Sequence, residues 1–283
     1  IDLGGVGPDG LPASVQRFEG KATSYAAYAQ GTYTPSNIAD GRLSLTLGIR
    51  YTNDKKDFTR VRAAVGATGA NTSAFRHDRF DPAVTLAFQA SDNVNIYGRF
   101  ARAYRAGGTG IRNQLALTTY EPEVNTSFEA GIKTQLFDNR LRFNVAAFHS
   151  TIKDGQVSFQ NSAVNPSSTD TVNVSGDIKI KGIEVESQVQ ISQSLSANLG
   201  YSFMDASLGG ATATSAVSDG TGGISIVTQE LFNAPYLPKH QLNVGLDYVR
   251  PVGDAQFFAH AEYSYASGQE NEPRHLVNAV AVQ

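Results

Sequence analysis

Apolar and polar residues alternate one by one along many segments of the chain, which is the pattern of β-strands with one apolar and one polar face. In 42–51, leucine, isoleucine and tyrosine occupy the odd positions, and arginine, serine, threonine and glycine occupy the even ones. The same period recurs at 128–136, 141–147, 195–203 and 242–248. No segment sustains apolar residues at the helical spacing, so the pattern predicts an all-β protein.

One predicted strand, 178–191, contains a change of phase. Ile178 and Ile180 share one parity, whereas the later apolar residues, from Ile183 onward, share the other. The change falls at Gly182, where one extra residue in the ladder would return the apolar residues to a single face. The sequence therefore predicts a β-bulge at Gly182.

Short and long connections alternate between the predicted strands. The short ones lie near 34–40, 90–93, 138–139, 192–194 and 251–254. The long polar ones are 53–76, 107–122, 158–171, 207–237 and 267–273. Outer-membrane barrels have this arrangement, with tight periplasmic turns and long extracellular loops, and their tilted strands need about 9–11 residues. We therefore predict an antiparallel transmembrane β-barrel with about 10–11 strands in this chain, the last starting near Arg274.

In such a barrel the apolar face of each strand meets lipid, and the polar face lines a wet lumen. Charged side chains that would be costly in a dry core are then hydrated. The residues predicted to line the lumen are Arg42, Arg50, Glu129, Lys133, Glu184, Glu186 and Asp247. Tyrosines and phenylalanines near strand ends fit interfacial girdles, although aromatic residues also favour strands in general.

The composition excludes several classes of protein. A net charge of −3 and a pI of about 6.0 do not give the basic excess that a general nucleic-acid binder needs. The absence of cysteine excludes disulfides and thiolate metal sites. No apolar run approaches the roughly 18 residues of a transmembrane helix, and the start of the chain lacks the basic and apolar regions of a signal peptide.

No complete catalytic or metal-binding motif is present in the sequence. The glycine-rich stretch AGGTGIRN lacks the lysine and the following helix of a phosphate-binding loop, and there is no G-x-S-x-G motif. His260 and Glu262 share one strand face, but two ligands do not make a metal site. We expect no enzyme activity, no cofactor and no metal site.

Four ordered stretches resemble the second half of the barrel of TonB-dependent outer-membrane receptors. They are NVNIYGRFARAYRAGG, YEPEVNTSFEAGIKTQLFDNRLRFNVAAFHSTIKDGQ, IKGIEVESQVQISQSLSANLGYSFMDA and LPKHQLNVGLDYVRP, and the match runs through most of 20–265. The resemblance implies a 22-stranded barrel with an N-terminal plug and a TonB box. The chain contains neither of these, nor the early strands or a C-terminal aromatic residue. We therefore expect residues 1–283 to be a partial barrel domain.

The resemblance also implies the function. It predicts energy-coupled uptake of a scarce nutrient across the outer membrane of a Gram-negative bacterium, with a ferric siderophore favoured over haem, cobalamin or an oligosaccharide. The implied partners are outer-membrane lipid and lipopolysaccharide, a small-molecule ligand, and the inner-membrane TonB complex through the missing N-terminal part. A passive porin-like channel and a secreted all-β adhesion module remain as alternatives.

The arginine-rich stretch NIYGRFARAYRAGGTGIRN, 95–113, is predicted to be a strand that runs into an outer loop. Arg102 and Tyr104 share the parity of the lipid-facing residues near the outer interface, where Arg102 can reach lipid phosphates. Arg99 and Arg105 are predicted to point into the lumen. The candidate ligand contacts are Tyr104, Arg105, Arg112, Asn113 and Arg99, because arginine can hold an anionic chelate bidentately. Lipopolysaccharide phosphates or neighbouring loops are the alternative partners of these arginines.

Overall fold

The computed structural model describes residues 10, 16–62, 71–111, 117–160, 169–208, 210, 212–218, 224–230 and 236–269. Within them the chain forms strands β1 (Arg17–Tyr33), β2 (Leu43–Arg62), β3 (Thr72–Ser91), β4 (Val94–Arg105), β5 (Gly108–Gly110), β6 (Thr118–Tyr120), β7 (Glu123–Leu136), β8 (Leu141–Lys153), β9 (Gln156–Gln160), β10 (Thr169–Ser175), β11 (Ile178–Gln190), β12 (Leu195–Ser207), β13 (Thr212–Ser218), β14 (Ile224–Glu230), β15 (His240–Val252) and β16 (Ala255–Ala266). One 3-10 turn, Ala39–Gly41, follows β1. No helix among the described residues is long and apolar enough to cross a membrane.

Ten of these strands form a single antiparallel sheet in the order β1-β2-β3-β4-β7-β8-β11-β12-β15-β16. The remaining strands belong to the long connections, as a four-stranded sheet β14-β13-β10-β9 and a two-stranded sheet β5-β6. Short connections join the strands at one end of the main sheet, the turn end, and long ones at the other, the loop end. The predicted antiparallel all-β fold is confirmed.

The two faces of the sheet differ in polarity, as the alternation predicts. On one face Leu45 pairs with Leu86 and Leu47 with Val84; we call this the outer face and the opposite one the inner face. Leu47 is 53 % exposed and Phe128 56 % exposed, so the apolar side chains of the sheet point away from the protein. A water-soluble sheet would bury such residues, whereas a membrane sheet presents them to lipid.

Among the residues that the structure describes, few apolar side chains are buried, and these lie beneath the loops. Val174, Leu208 and Ala213 form a small cluster where β10 meets β13, with Val157, Val172, Ile178 and Val227 packed around it. This cluster fastens the β8–β11 and β12–β15 connections to each other. The main sheet therefore depends on lipid contact, while the connections have a small core of their own.

The predicted bulge at Gly182 is wrong. Strand β11 keeps one register with β8 from Ile178 to Val189 and with β12 from Lys179 to Gln190. The parity of the apolar residues changes along β11 because Lys179 and Lys181 occupy the outer face beyond the apolar band, where a cation is hydrated. Gly182 is required for another reason: a Cβ there would lie 2.5 Å from the Phe203 carbonyl oxygen.

The predicted loop at 53–76 is also mostly wrong. Strands β2 and β3 continue in register up to the pair formed by Thr59 and Thr72. Both faces of this stretch are polar, which made it look like a loop in the sequence. Strand β1 remains paired with β2 along this stretch, so the extension is a three-stranded wall beyond the apolar part of the sheet. Its inner face carries part of the candidate site.

Candidate functional site: the inner face of the sheet

The first group of inner-face residues surrounds Tyr97 on β4. The Tyr97 hydroxyl donates a 2.7 Å hydrogen bond to Glu129 Oε1, and Lys133 Nζ lies 5.2 Å from the centroid of the Tyr97 ring. Arg99 lies directly opposite Glu129 in the strand register. The structure thus brings together three predicted lumen residues around Tyr97, which was expected among the girdle aromatics and lies on the inner face instead.

Glu184 and Glu186 continue these rows across the sheet. Glu184 lies in the row of Tyr97, separated from it by Gly131 and Ala146, and Glu186 lies in the row of Lys133. A Cβ at Gly131 would meet the Tyr97 ring at 2.7 Å, so the ring lies over the glycine. This group, which we call the Tyr97 cluster, offers both signs of charge on a largely exposed wall.

A second group, the Asp54 cluster, lies on the inner face of the extended β2–β3 wall. Arg79 and Asp81 form a 2.7 Å ion pair, with their side chains only 9 % and 8 % exposed. The Tyr104 hydroxyl donates a hydrogen bond to Asp54 Oδ2. The Arg79 guanidinium lies 4.8 Å from the Tyr104 ring centroid, and the His77 ring centroid is 5.9 Å from it. The buried charges of this cluster are therefore held close to partners.

Tyr104 lies on this inner face although its parity in β4 predicts the outer one. The register between β3 and β4 ends where Ala83 faces Ala101, while β4 stays paired with β7 up to Arg105. Beyond Ala101, β4 leaves the wall, and its outward side packs against inner-face residues of β2 and β3. The predicted position of Tyr104 near the outer interface is therefore wrong, because parity fixes the face only while the strand stays in the sheet.

The Tyr104–Asp54 hydrogen bond changes the ionisation of both groups, which lie beyond the apolar band. Burial, and then the hydrogen bond to Asp54, raises the pKa of Tyr104 to about 12. For Asp54, burial favours a higher pKa, but hydrogen bonds from Ser24 and Tyr104 and the charges of Lys56 and His77 outweigh it, so the pKa is lowered. At neutral pH the pair is a neutral phenol donating to a carboxylate.

The β4–β7 loop lies directly on this wall. Lys56 Nζ donates to the Gly107 carbonyl oxygen at 2.6 Å, and the hydroxyls of Ser73 and Thr109 are 2.9 Å apart. A Cβ at Gly107 would lie 2.4 Å from the Tyr120 carbonyl oxygen and 2.6 Å from the Phe75 ring. Only glycine allows this close approach of the loop to the wall.

A clasp of hydrogen bonds also fastens the β4–β7 loop to the β8–β11 loop. Arg105 Nη2 donates to Glu123 Oε2 at 2.7 Å and to the Gln156 carbonyl oxygen at 2.8 Å. The Gln156 side chain donates to the Ala106 and Glu121 carbonyl oxygens. Asn173 both accepts from the Glu121 amide, at 2.6 Å, and donates to its carbonyl oxygen, at 3.0 Å. These hydrogen bonds therefore hold together the β4–β7 and β8–β11 loops, which are distant in sequence.

The other predicted contacts lie apart from these clusters or beyond the described chain. Arg102 is exposed on β4 opposite Thr126. Arg112 and Asn113 lie outside the described residues. Within the part of the chain that the structure describes, no group of three or more histidine, aspartate or glutamate side chains could hold a metal ion.

Comparison with known proteins decides the family. The sequence matches the family model described as "TonB dependent receptor-like, beta-barrel" over residues 2–280. The chain belongs to the TonB-dependent receptor family. Members of this family are transporters, not enzymes, and reside in the Gram-negative outer membrane, which confirms the predicted class and location. In a barrel of this family the loop end is extracellular, the turn end is periplasmic and the inner face lines the lumen.

Two of the relatives are named as receptors for metal-pseudopaline and ferric-pyoverdine. The chain is 24% identical over 161 residues to the metal-pseudopaline receptor CntO of Pseudomonas aeruginosa, covering 56% of this chain and 21% of the relative. It is 27% identical over 209 residues to the ferric-pyoverdine M114 receptor PbuA of Pseudomonas sp. strain M114, covering 73% and 23%. The chain thus spans less than a quarter of the length of either relative.

Solved structures share the fold. The ferric yersiniabactin uptake receptor FyuA of Yersinia pestis superposes with a TM-score of 0.66 at 16% identity, over 88% of this chain and 35% of that one. The siderophore receptor PiuA of Acinetobacter baumannii gives 0.65 at 20% identity, over 87% and 34%. At these identities the likeness concerns the fold alone.

Proposed function

We propose that this chain forms part of the barrel of a receptor that takes up a metal bound to a small chelator, a ferric siderophore or a similar complex, with energy from the TonB complex. The observation that carries the proposal is that the relatives CntO and PbuA are named as receptors for such chelates. In this proposal residues 1–283 are a partial barrel domain, and the plug and TonB box belong to other parts of the same polypeptide.

The Tyr97 cluster suits the passage of a charged chelate. Arg99 and Lys133 offer cations to the carboxylate, hydroxamate or catecholate groups that chelators carry, and arginine can do so bidentately. Glu129 lies directly opposite Arg99 and competes with the chelate for that cation, and Glu184 adds a negative charge further along the wall. A wall of mixed charge therefore binds an anionic complex weakly enough for it to leave again.

We propose that Tyr104 and Arg105 act on the ligand where the β4–β7 loop begins. Arg112 and Asn113 are proposed to contact the ligand further along this loop. The inward position of the loop supports this role for the first two, since Tyr104 binds Asp54 and Arg105 binds Glu123. Both residues would then influence ligand binding by fixing where the loop stands over the lumen.

Uptake of radioactive iron tests the function. A strain lacking the gene, and the same strain complemented, would receive ⁵⁵Fe as a hydroxamate, a catecholate or a mixed-type complex under iron limitation. We expect complementation to restore saturable uptake of one complex, and a protonophore to abolish it. Uptake that rises linearly with concentration and survives the protonophore would instead establish the passive porin-like channel.

A pair of charge reversals tests the assignment of the arginines. We expect Arg105→Glu to reduce chelate uptake more than Arg102→Glu, because a glutamate at 105 would repel Glu123 and release the clasp between the loops. Arg102 is exposed on β4 opposite Thr126, is not one of the clasp residues and serves as the matched control. Equal effects of the two variants on the uptake rate would contradict the assignment.

A further inference from the structure

From β4 onward, the inner face carries opposite charges on two sides of the sheet. At membrane level, β4, β7 and β8 carry three inner-face cations, Arg99, Lys133 and Arg142, and one carboxylate, Glu129. Strands β11, β12, β15 and β16 have no lysine or arginine on this face and carry four carboxylates. These are Glu184, Glu186, Asp247 and Glu262. One side of the wall is therefore positive, and the other is negative.

Lys133 and Arg142 lie together toward the turn end of the positive side. Lys133 on β7 faces Asn144 on β8 in the register, and Arg142 follows two residues from Asn144 on the same face. Such diagonal neighbours on adjacent strands are about 7–8 Å apart, a distance that long side chains bridge. The ammonium group of Lys133 and the guanidinium group of Arg142 can therefore bind one small anion from two sides.

Both cations line a polar recess of about 350 Å³ in the inner face. The amide side chains of Asn95, Gln135 and Asn144 line the same recess, as does Asp92 in the β3–β4 turn. An amide group offers two neutral N–H donors, and hydrogen bonds from a charged donor to a carboxylate are stronger than neutral ones. The recess thus surrounds a bound anion with two cations and several neutral donors.

Neither cation forms an ion pair with a carboxylate of the described residues. Lys133 Nζ instead lies over the Tyr97 ring, 5.2 Å from its centroid, and Arg142 is exposed. Glu186 is a diagonal neighbour of Arg142 across β8 and β11, and it adds a negative charge at the boundary between the two sides. The two cations therefore remain available to an anion that enters the lumen.

We propose that Lys133 and Arg142 form an anion-binding site near the turn end of the lumen, which holds a carboxylate or another anionic group of the chelate on its way to the periplasm. The inference rests on the proposed function for the identity of the anion. The carboxylates on β11 to β16 repel an anionic chelate, and the cations on β4 to β8 attract it. The chelate is therefore expected to pass along the β4–β8 side of the wall.

Charged thiol reagents test the site without knowledge of the chelate. The chain has no cysteine, so Asn144→Cys and Asn243→Cys each place one thiol in the same inner-face row, on the positive and on the negative side. The complete receptor, with any cysteine outside residues 1–283 replaced, would react in membrane vesicles with methanethiosulfonates that carry a sulfonate or a trimethylammonium group. We expect the ratio of the sulfonate rate to the trimethylammonium rate to be on the order of tenfold higher at position 144 than at position 243. Equal ratios, or protection of both positions from both reagents, would overturn the proposal.

Neutral substitutions identify the cations that cause the difference. In the Asn144→Cys receptor, Lys133→Gln/Arg142→Gln should lower the ratio to the value at position 243, and Arg250→Gln, at the turn end of the outer face, should leave it unchanged. Citrate, a small tricarboxylate, should slow the sulfonate reagent at position 144 only while both cations are present. Each variant must keep the heat-modifiable gel migration of a folded barrel. An equal fall in Arg250→Gln, or equal slowing by citrate in the double variant, would contradict the site.

Uptake of ⁵⁵Fe complexes separates this site from the proposed function. We expect Lys133→Gln/Arg142→Gln to reduce uptake several-fold and Arg250→Gln to leave it unchanged. A receptor that takes up no iron complex but keeps the reagent ratio and the slowing by citrate would refute the proposed function and leave the anion site. Normal uptake in the double variant would refute the role of the site in transport and leave the proposed function.

Discussion

Two polar regions lie on the same inner face of the sheet, and their side chains have different surroundings. In the Tyr97 cluster, at membrane level, Arg99, Lys133 and Glu184 are exposed and Glu129 is half-buried. In the Asp54 cluster, beyond the apolar band, Asp54 is only 6% exposed and the Arg79–Asp81 pair is nearly as buried. The same alternation of residues thus gives an open wall in one region and a closed contact in the other.

The difference follows from the path of β4. Where β4 pairs with β3, the inner face remains open to the lumen and its charges can be hydrated. Where β4 leaves β3 after Ala101, the strand end and the β4–β7 loop cover the inner face. Covered polar groups are costly unless they have partners, so the Asp54 cluster is expected to be sensitive to substitution and the Tyr97 cluster tolerant of it.

The largest effect is expected from Gly107→Val. The new side chain would overlap the Tyr120 carbonyl oxygen and the Phe75 ring, and the loop would have to lift from the wall. Overpacking typically costs about 1–3 kcal/mol, and the clash with backbone puts this variant at the upper end, so local opening should become on the order of a hundredfold more frequent. Hydrogen exchange of the β5 and β6 amides measures it.

Gly31→Val is the matched control for that experiment, because a Cβ at Gly31 would have no neighbour within 4 Å. Its exchange rates in β5 and β6 should equal those of the unsubstituted protein. Unchanged exchange in Gly107→Val would mean that the loop does not rest on the wall.

Asp54→Ala comes next in size. The substitution removes the acceptor of the Tyr104 hydroxyl and the carboxylate that faces Lys56 and His77. Leaving such buried groups without their partner costs about 2–3 kcal/mol, which exchange of the β2 and β3 amides beyond Tyr51 would report. Asp57→Ala removes an exposed partner of Arg76 on the opposite face of β2 and should cost less than about 1 kcal/mol. Equal costs would contradict the contrast between the faces.

Tyr104→Phe removes only the hydroxyl and should cost about 1 kcal/mol. Because the pKa of Tyr104 is raised to about 12 in the folded protein, the stabilisation is complete below the ordinary tyrosine value near 10 and is lost as pH rises through about 12. Asp54 behaves in the opposite way: because its pKa is lowered in the folded protein, its stabilisation is complete above the ordinary aspartate pKa of 3.8 and is lost as pH falls through the lower folded pKa.

An ultraviolet titration at high pH checks the raised pKa of Tyr104. The difference between the unsubstituted protein and Tyr104→Phe should show a tyrosine that ionises at about 12. A difference curve centred near the ordinary value of about 10 would mean that the hydroxyl is not held by Asp54.

The faces of the membrane-level strands could be predicted from the sequence because strand parity is a local property. The alternation of side chains along a strand was sufficient to place Leu45, Leu47 and Arg50 on the correct faces. The same argument failed for Tyr104, since its face depends on where β4 leaves β3, and that depends on the packing of Gly107 over Phe75. A contact between residues so distant in sequence leaves no periodic signal.

The errors at Gly182 and at 53–76 share one cause. Both predictions assumed that a strand ends, or must change phase, where its outer face stops being apolar. Lys181 and the β2–β3 extension show that the strands continue into water with polar residues on the outer face. Tyr97 could have been found from the sequence, because it has the parity of Arg99 and the predicted strands place it near Glu129.

The smallest effect is expected from Tyr97→Phe in the open cluster. Its hydroxyl donates to Glu129, but that carboxylate can accept from lumen water when the hydroxyl is removed, so the cost should stay below about 0.5 kcal/mol. The phenylalanine ring still covers Gly131, and exchange of the β7 amides should therefore remain unchanged. A loss as large as that of Tyr104→Phe would show that the Tyr97 cluster is also shielded from water, and the contrast between the two regions would then fail.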